Sequence, residues 1–171
     1  MAMQCEELEN EKCSLIEEMG VFFERNETFS PLSARIFSML VLSGERGVTF
    51  EELLERLEAS KSSVSTNLHL LQSTGKITYF TKTGDRKRYF KTAPDQMLVR
   101  LDEKIEQWKK EKQLLEKVQS YKLKCVQYDP ENDPNQVSMQ FNQHYIRFAD
   151  TMINNLLELR KNISNTLNQF K

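Results

Sequence analysis

The chain has 171 residues, with 24 Lys or Arg against 25 Asp or Glu, a formal net charge of −1 and 39% apolar residues. That length holds one medium domain, or a small domain with helical appendages, and is enough to bury a real core. A mean hydropathy of −0.61 and apolar runs of a few residues, such as Met39 to Leu42, exclude a membrane-spanning segment.

The acidic start (Glu6, Glu7, Glu9, Glu11) is unlike a secretory signal, so a cytoplasmic protein is expected. Cys5, Cys13 and Cys125 are too few, and odd in number, for a disulfide framework, and none forms a Cys-x-x-Cys pair. His69 and His144 lack metal-type spacing. Neither a metal nor a cofactor is expected, and no phosphate loop, nucleophile–base pair or metal triad points to an enzyme.

Charge is segregated along the chain. Residues 1–30 hold eight Glu and two basic residues, whereas residues 60–91 hold seven basic residues (Lys61, Lys76, Lys82, Arg86, Lys87, Arg88, Lys91) and one acid, Asp85. A basic face on a near-neutral protein suits a polyanion, and the acidic segments confine contact to that face.

The predicted elements, in chain order, begin with an amphipathic helix over 4–25. Its stripe is Leu8, Leu15, Met19 and Phe22, widened by Ile16 and Phe23. Ser30 as N-cap and Pro31 at the first helical position open a second helix that runs to about Ser43. Ala34, Ile36, Phe37, Leu40 and Val41 make it apolar nearly all round, as in a buried central helix. Gly44 to Gly47 is a turn, Val48 a one-residue strand, and Thr49 with Glu52 a capping box for a third helix ending at Ala59. Phe50, Leu53, Leu54 and Leu57 face inward there.

Ser60 opens a fourth helix after a very short turn, which makes a helix-turn-helix. Val64, Leu68 and Leu71 face the core and Gly75 ends the helix in a left-handed conformation. Residues 77–80 and 88–91 then read as two strands around a tip at Thr83-Gly84-Asp85. A long charged helix follows over 95–124, with Leu98, Leu101, Ile105, Trp108, Leu115 and Val118 in a narrow stripe. Residues 128–136, with two prolines, read as a loop. The last helix, 137–169, carries Phe141, Tyr145, Phe148, Met152, Leu156, Leu159, Ile163, Leu167 and Phe170, and a second row of Ile146, Ala149, Ile153 and Leu157. So large an apolar face packs on the preceding helix, on a second subunit, or on both.

The fold class expected is mainly α with a small β-hairpin wing: a winged helix-turn-helix over 31–93, an N-terminal dimerisation helix over 1–30 and a C-terminal helical dimerisation region over 94–171. Short polar side chains at the start of a helix let its backbone approach a major groove, and cations nearby hold phosphates. Lys61, Ser62, Ser63, Ser65, Thr66 and His69 are the candidates on the helix, and Lys82, Arg86, Lys87 and Arg88 those on the wing. Strand alternation sets Arg86 and Arg88 on one face and Lys87 on the other. Each signal alone is weak, since serines cap helices and charged hairpins are commonly just solvated; the ordered set is specific. A dimeric sequence-specific DNA-binding regulator is the leading reading. A winged-helix adaptor that binds protein without DNA is the alternative.

The runs Pro31-Leu-Ser-Ala-Arg-Ile-Phe-Ser-Met-Leu-Val-Leu-Ser, Thr49-Phe-Glu-Glu-Leu, Ser60-Lys-Ser-Ser-Val-Ser and Gly84-Asp-Arg-Lys-Arg-Tyr-Phe resemble the GbsR group of MarR-like bacterial transcriptional regulators. The likeness covers about residues 10–125. It implies a homodimeric winged-helix regulator, usually a repressor, that dimerises through its terminal helices. It also implies a small-molecule effector in some relatives, choline among them. A choline site needs an aromatic cage with a carboxylate, for which Phe22, Phe23, Phe29, Trp108, Tyr145 and Phe148 are the available rings; such rings more commonly serve packing.

Overall fold

In the computed structural model the described residues are 2–128 and 136–169, with side chains described over 6–128 and 138–169. Residues 129–135 of the loop expected over 128–136, Phe170 and the Cys5 side chain lie outside them. The chain divides into two compact units between Gln96 and Met97.

The first unit begins with α1 (Ala2–Asn26) and α2 (Pro31–Ser43). Ser30 caps α2 as expected, its hydroxyl accepting from the Ser33 amide, and Pro31 stands at the start. The face that α1 buries differs from the expected stripe. Ile16 and Phe23 are 3% and 6% exposed, while Leu8 and Phe22 are 65% and 51% exposed. The reason lies in α2, where Phe37 accepts Phe23 edge to face with centroids 5.0 Å apart. Arg35 then bonds Glu17 and Glu24 and fixes the rotation of α1. On α2, Ala34, Ile36, Phe37 and Leu40 are buried as expected, but Val41 is exposed.

A short 3₁₀ turn (Gly44–Arg46) leads to β1 (Val48–Thr49). Gly47 has φ +69, and a Cβ there would lie 2.9 Å from Phe80 and 3.2 Å from the Phe90 carbonyl, so both backbone and packing demand glycine. α3 (Phe50–Leu57) starts on the expected box: the Glu52 amide donates to the Thr49 hydroxyl, and the Thr49 amide donates to the Glu52 carboxylate. It ends earlier than expected, at Leu57, because Glu58 takes the left-handed conformation.

α4 (Lys61–Ser73) buries Val64, Leu68 and Leu71. It closes with the Gly75 amide on the Gln72 carbonyl and the Lys76 amide on the Leu71 carbonyl, the paired bonds of a Schellman motif. β2 (Ile77–Thr81) and β3 (Arg88–Thr92) form the hairpin, and β1 pairs with β3, giving a three-stranded antiparallel sheet in the order β1-β3-β2. Helix, tight turn, capped helix and hairpin make a winged helix-turn-helix around one core that includes Ile36, Leu40, Leu53, Val64, Leu71 and Phe90.

The second unit holds α5 (Gln96–Tyr128) and α6 (Gln136–Gln169). Side-chain bonds pair Asp102 with Arg160, Glu111 with Tyr145 and Lys112 with Asp150. From Asp102–Arg160 through Lys112–Asp150 to Lys122–Ser138 the partner numbers fall along α6 as they rise along α5, so the helices run antiparallel. Of the two apolar rows on α6 it is the second that supplies the buried residues Ala149 and Ile153, whereas Phe141, Phe148 and Leu159 of the first are exposed. Among the described residues no helix is long and apolar enough to cross a membrane.

Candidate nucleic-acid interface

The first turn of α4 is organised by Ser60. Its hydroxyl accepts from the Ser63 amide at 3.2 Å and meets the Ser63 hydroxyl at 2.8 Å and that of Ser62 at 3.0 Å. Lys61, Ser62, Ser65, Thr66 and His69 are exposed, whereas Ser63 is half-buried within the cap. The helix-face candidates are therefore mostly outward, with Ser63 turned toward structure.

Asn67, which sequence reasoning passed over, explains that orientation. Its Oδ1 accepts from the Ser30 hydroxyl at 2.7 Å and the Ser33 hydroxyl at 2.6 Å, and its Nδ2 donates to the Ser63 carbonyl at 2.8 Å. One amide thus ties the start of α2 to the start of α4. The only sequence signal is an Asn in mid-helix, a residue that normally prefers caps and turns.

The seven cations of residues 60–91 divide into three kinds. Lys76 and Lys91 are engaged by Glu27 and Glu45 from outside the stretch. Lys61, Arg86 and Lys87 have no ion-pair partner among the described residues. Lys82 lies 3.8 Å from the Tyr89 ring centroid and Arg88 lies 4.8 Å from that of Tyr79, so aromatic faces hold these two side chains without neutralising them. Arg86 and Lys87 fall in the tip loop, before β3 begins at Arg88. Strand alternation therefore does not govern them, and the expected facing of Arg86 with Arg88 has no strand to enforce it.

Helix and wing meet across a groove of about 480 Å³, lined by Ser65, His69 and Gln72 of α4 and by Arg86, Lys87 and Arg88 of the hairpin, with Glu51 of α3 the one acid in its lining. The structure thus brings five of the ten expected site residues around one concavity; Lys61, Ser62, Ser63, Thr66 and Lys82 lie outside that lining. Gln72 and Glu51 join it through the fold alone, being far from the basic run in sequence or unremarkable within it. Asp85 accepts from the Lys87 amide at 2.9 Å and the Tyr89 hydroxyl at 2.6 Å. The Tyr89 hydrogen bond, and then that of the Lys87 amide, hold its carboxyl below the usual range.

The aromatic rings considered for a cage pack on one another. Trp108 and Phe148 meet edge to face at 5.6 Å in the second unit, as do Phe23 and Phe37 in the first at 5.0 Å. Among the described residues no group of three or more His, Cys, Asp or Glu is placed to hold a metal.

No family model matches the chain. It is 32% identical over 80 residues to the HTH-type transcriptional regulator MmpR5 of Mycobacterium tuberculosis. That match takes in 47% of this chain and spans about half, 48%, of the relative's length. A solved crystal structure described as a transcriptional regulator aligns over 94% of this chain and 97% of its own, at 22% identity and a TM-score of 0.47.

Proposed function

We propose that this chain is a sequence-specific DNA-binding transcriptional regulator that acts as a homodimer and as a repressor, in the manner of the MarR-like and GbsR-like proteins it resembles. The observation that carries the reading is the groove in which an exposed polar helix face, Ser65 and His69, faces three cations of the hairpin, Arg86, Lys87 and Arg88. Short hydroxyls and an imidazole on a helix suit base edges in a major groove, while the wing cations suit phosphates or a neighbouring minor groove. The regulator relative supports the same reading over the matched half of the chain. Such a role implies a cytoplasmic site of action. A small-molecule effector, as in some of the proteins it resembles, belongs to the same proposal.

Binding to duplex DNA across a salt series tests this. With roughly four to eight phosphates neutralised per dimer, log K falls with log salt at a slope of about −4 to −7. Arg86→Ala weakens binding and makes the slope shallower by about one for each phosphate that a subunit no longer neutralises. A flat salt response would instead favour the protein-binding adaptor.

A further inference from the structure

An acid in an element that meets phosphates opposes binding, so its presence calls for a structural task. Asp85 is the single acid among the seven cations of residues 60–91, and it stands in the tip loop between β2 and β3. Its two oxygens serve different partners: Oδ1 accepts from the Lys87 amide and Oδ2 from the Tyr89 hydroxyl. The Asp85 amide itself donates to the Lys82 carbonyl at 3.0 Å, and Gly84 supplies φ +82 for the reversal. The Tyr89 ring is stacked on Phe80 with centroids 5.5 Å apart and carries the Lys82 ammonium on its face. Phe80 in turn lies against the position that only Gly47 leaves open. A continuous series of packed groups thus runs from Gly47, on the sheet face opposite Ile77 and Phe90, to the tip.

We infer that Asp85 and Tyr89 are positioning residues, a brace that holds the Arg86–Lys87 tip in the shape that presents its cations to DNA. The inference rests on the DNA-binding reading above. Without the brace, the six residues between β2 and β3 keep one backbone hydrogen bond, from the Asp85 amide to Lys82, and Arg86 and Lys87 lose a defined direction. The acid's unfavourable charge is offset by pre-organisation, because ordering the loop beforehand lowers the entropy lost on binding.

Three variants separate brace from charge: D85N, D85A and Y89F. Each is measured for binding to a mixed-sequence duplex across a salt series, for thermal unfolding, and for hydrogen exchange of the Lys87 amide in the free protein. Asp85→Asn keeps an oxygen acceptor and removes the charge, and binds at least as tightly as the parent. Tyr89→Phe removes one hydrogen bond and Asp85→Ala two; both speed Lys87 amide exchange and weaken binding by at least about 2-fold, the low end for loss of one hydrogen bond, with a shallower salt slope and little change in unfolding temperature. Tyr89→Phe alters no charge, so weakening there cannot be electrostatic. If Asp85→Ala tightens binding and Tyr89→Phe matches the parent in affinity and slope, Asp85 is only a charge and the brace is overturned. If the folded parent fails to bind duplex DNA at all, both the brace's role and the DNA reading fall.

Discussion

Asn67 shows how a single side chain can tie the starts of two helices together. Its amide satisfies the Ser30 and Ser33 hydroxyls, the second of them on a buried residue, while holding the Ser63 carbonyl. Replacing it with Ala leaves the buried Ser33 hydroxyl without its partner, at a cost of about 1–3 kcal/mol, while the exposed Ser30 hydroxyl can turn to water. Asn67→Ala should therefore lower the urea midpoint without changing the m-value. DNA affinity should fall in the same variant, because α4 loses its tie to α2. An unchanged midpoint would show the network to be idle. The same scale explains why the count of basic residues overstates the proposed binding surface: Lys76 and Lys91 answer Glu27 and Glu45 at home, and Arg86 and Lys87 are the wing cations whose side chains have neither an ion pair nor a ring to hold them among the described residues.

At the scale of elements, two carboxylates secure helix geometry, one in each unit. Burial pushes Glu52 up, but the hydrogen bonds from the Thr49 backbone, the Thr49 hydroxyl and Arg46 outweigh it and leave the group below its usual value. The Arg160 hydrogen bond, bidentate at 2.5 and 2.9 Å, lowers Asp102. A carboxylate depressed in the folded state stabilises fully above its unfolded value, about 4.3 for Glu and 3.9 for Asp. That contribution is lost as pH falls through the folded value. Thermal unfolding followed from pH 7 to pH 3 should thus show stability holding to about pH 5 and declining below it. Glu52→Gln, which keeps a capping-box side chain, should flatten the part of the decline that belongs to the first unit; an unaltered profile would remove Glu52 from the account. Element boundaries were largely readable in advance: Ser30-Pro31, Thr49 with Glu52, Ser60 and Gly75 each act locally, through a cap or a left-handed residue. The early end of α3 was not, because Glu58 adopts a conformation that its residue type disfavours.

For the whole molecule, the apolar surface left over is the informative quantity. Leu8, Leu15 and Phe22 on α1 are exposed at a seven-residue spacing, as are Leu114, Tyr121 and Tyr128 on α5, and Phe141 of α6 is 69% exposed. Monomeric proteins seldom leave such stripes in water, which is why a homodimer belongs to the proposed function. Sedimentation equilibrium should give twice the chain mass of 20.2 kDa, and Phe141→Glu with Leu159→Glu should shift it toward the monomer while leaving helix content unchanged. A parent that sediments as a monomer at micromolar concentration would discard the dimer.

What the residues determined on their own was the sequence of devices: caps, a tight inter-helix turn, a core face on α4 and a cationic hairpin. These depend on neighbours within about four positions, through hydrogen bonds and periodicity that the chain carries with it. Which row of an over-wide stripe is buried was decided by tertiary structure. On α1 the choice fell to Ile16 and Phe23 because Phe37 and Arg35 of α2 meet that side. On α6 the buried residues came from the row of Ala149 and Ile153 rather than from the larger aromatic row. The groove, too, exists only in three dimensions, since Glu51, His69 and Arg88 are separated in sequence and converge because α4 and β3 share one core through Leu68, Leu71 and Phe90.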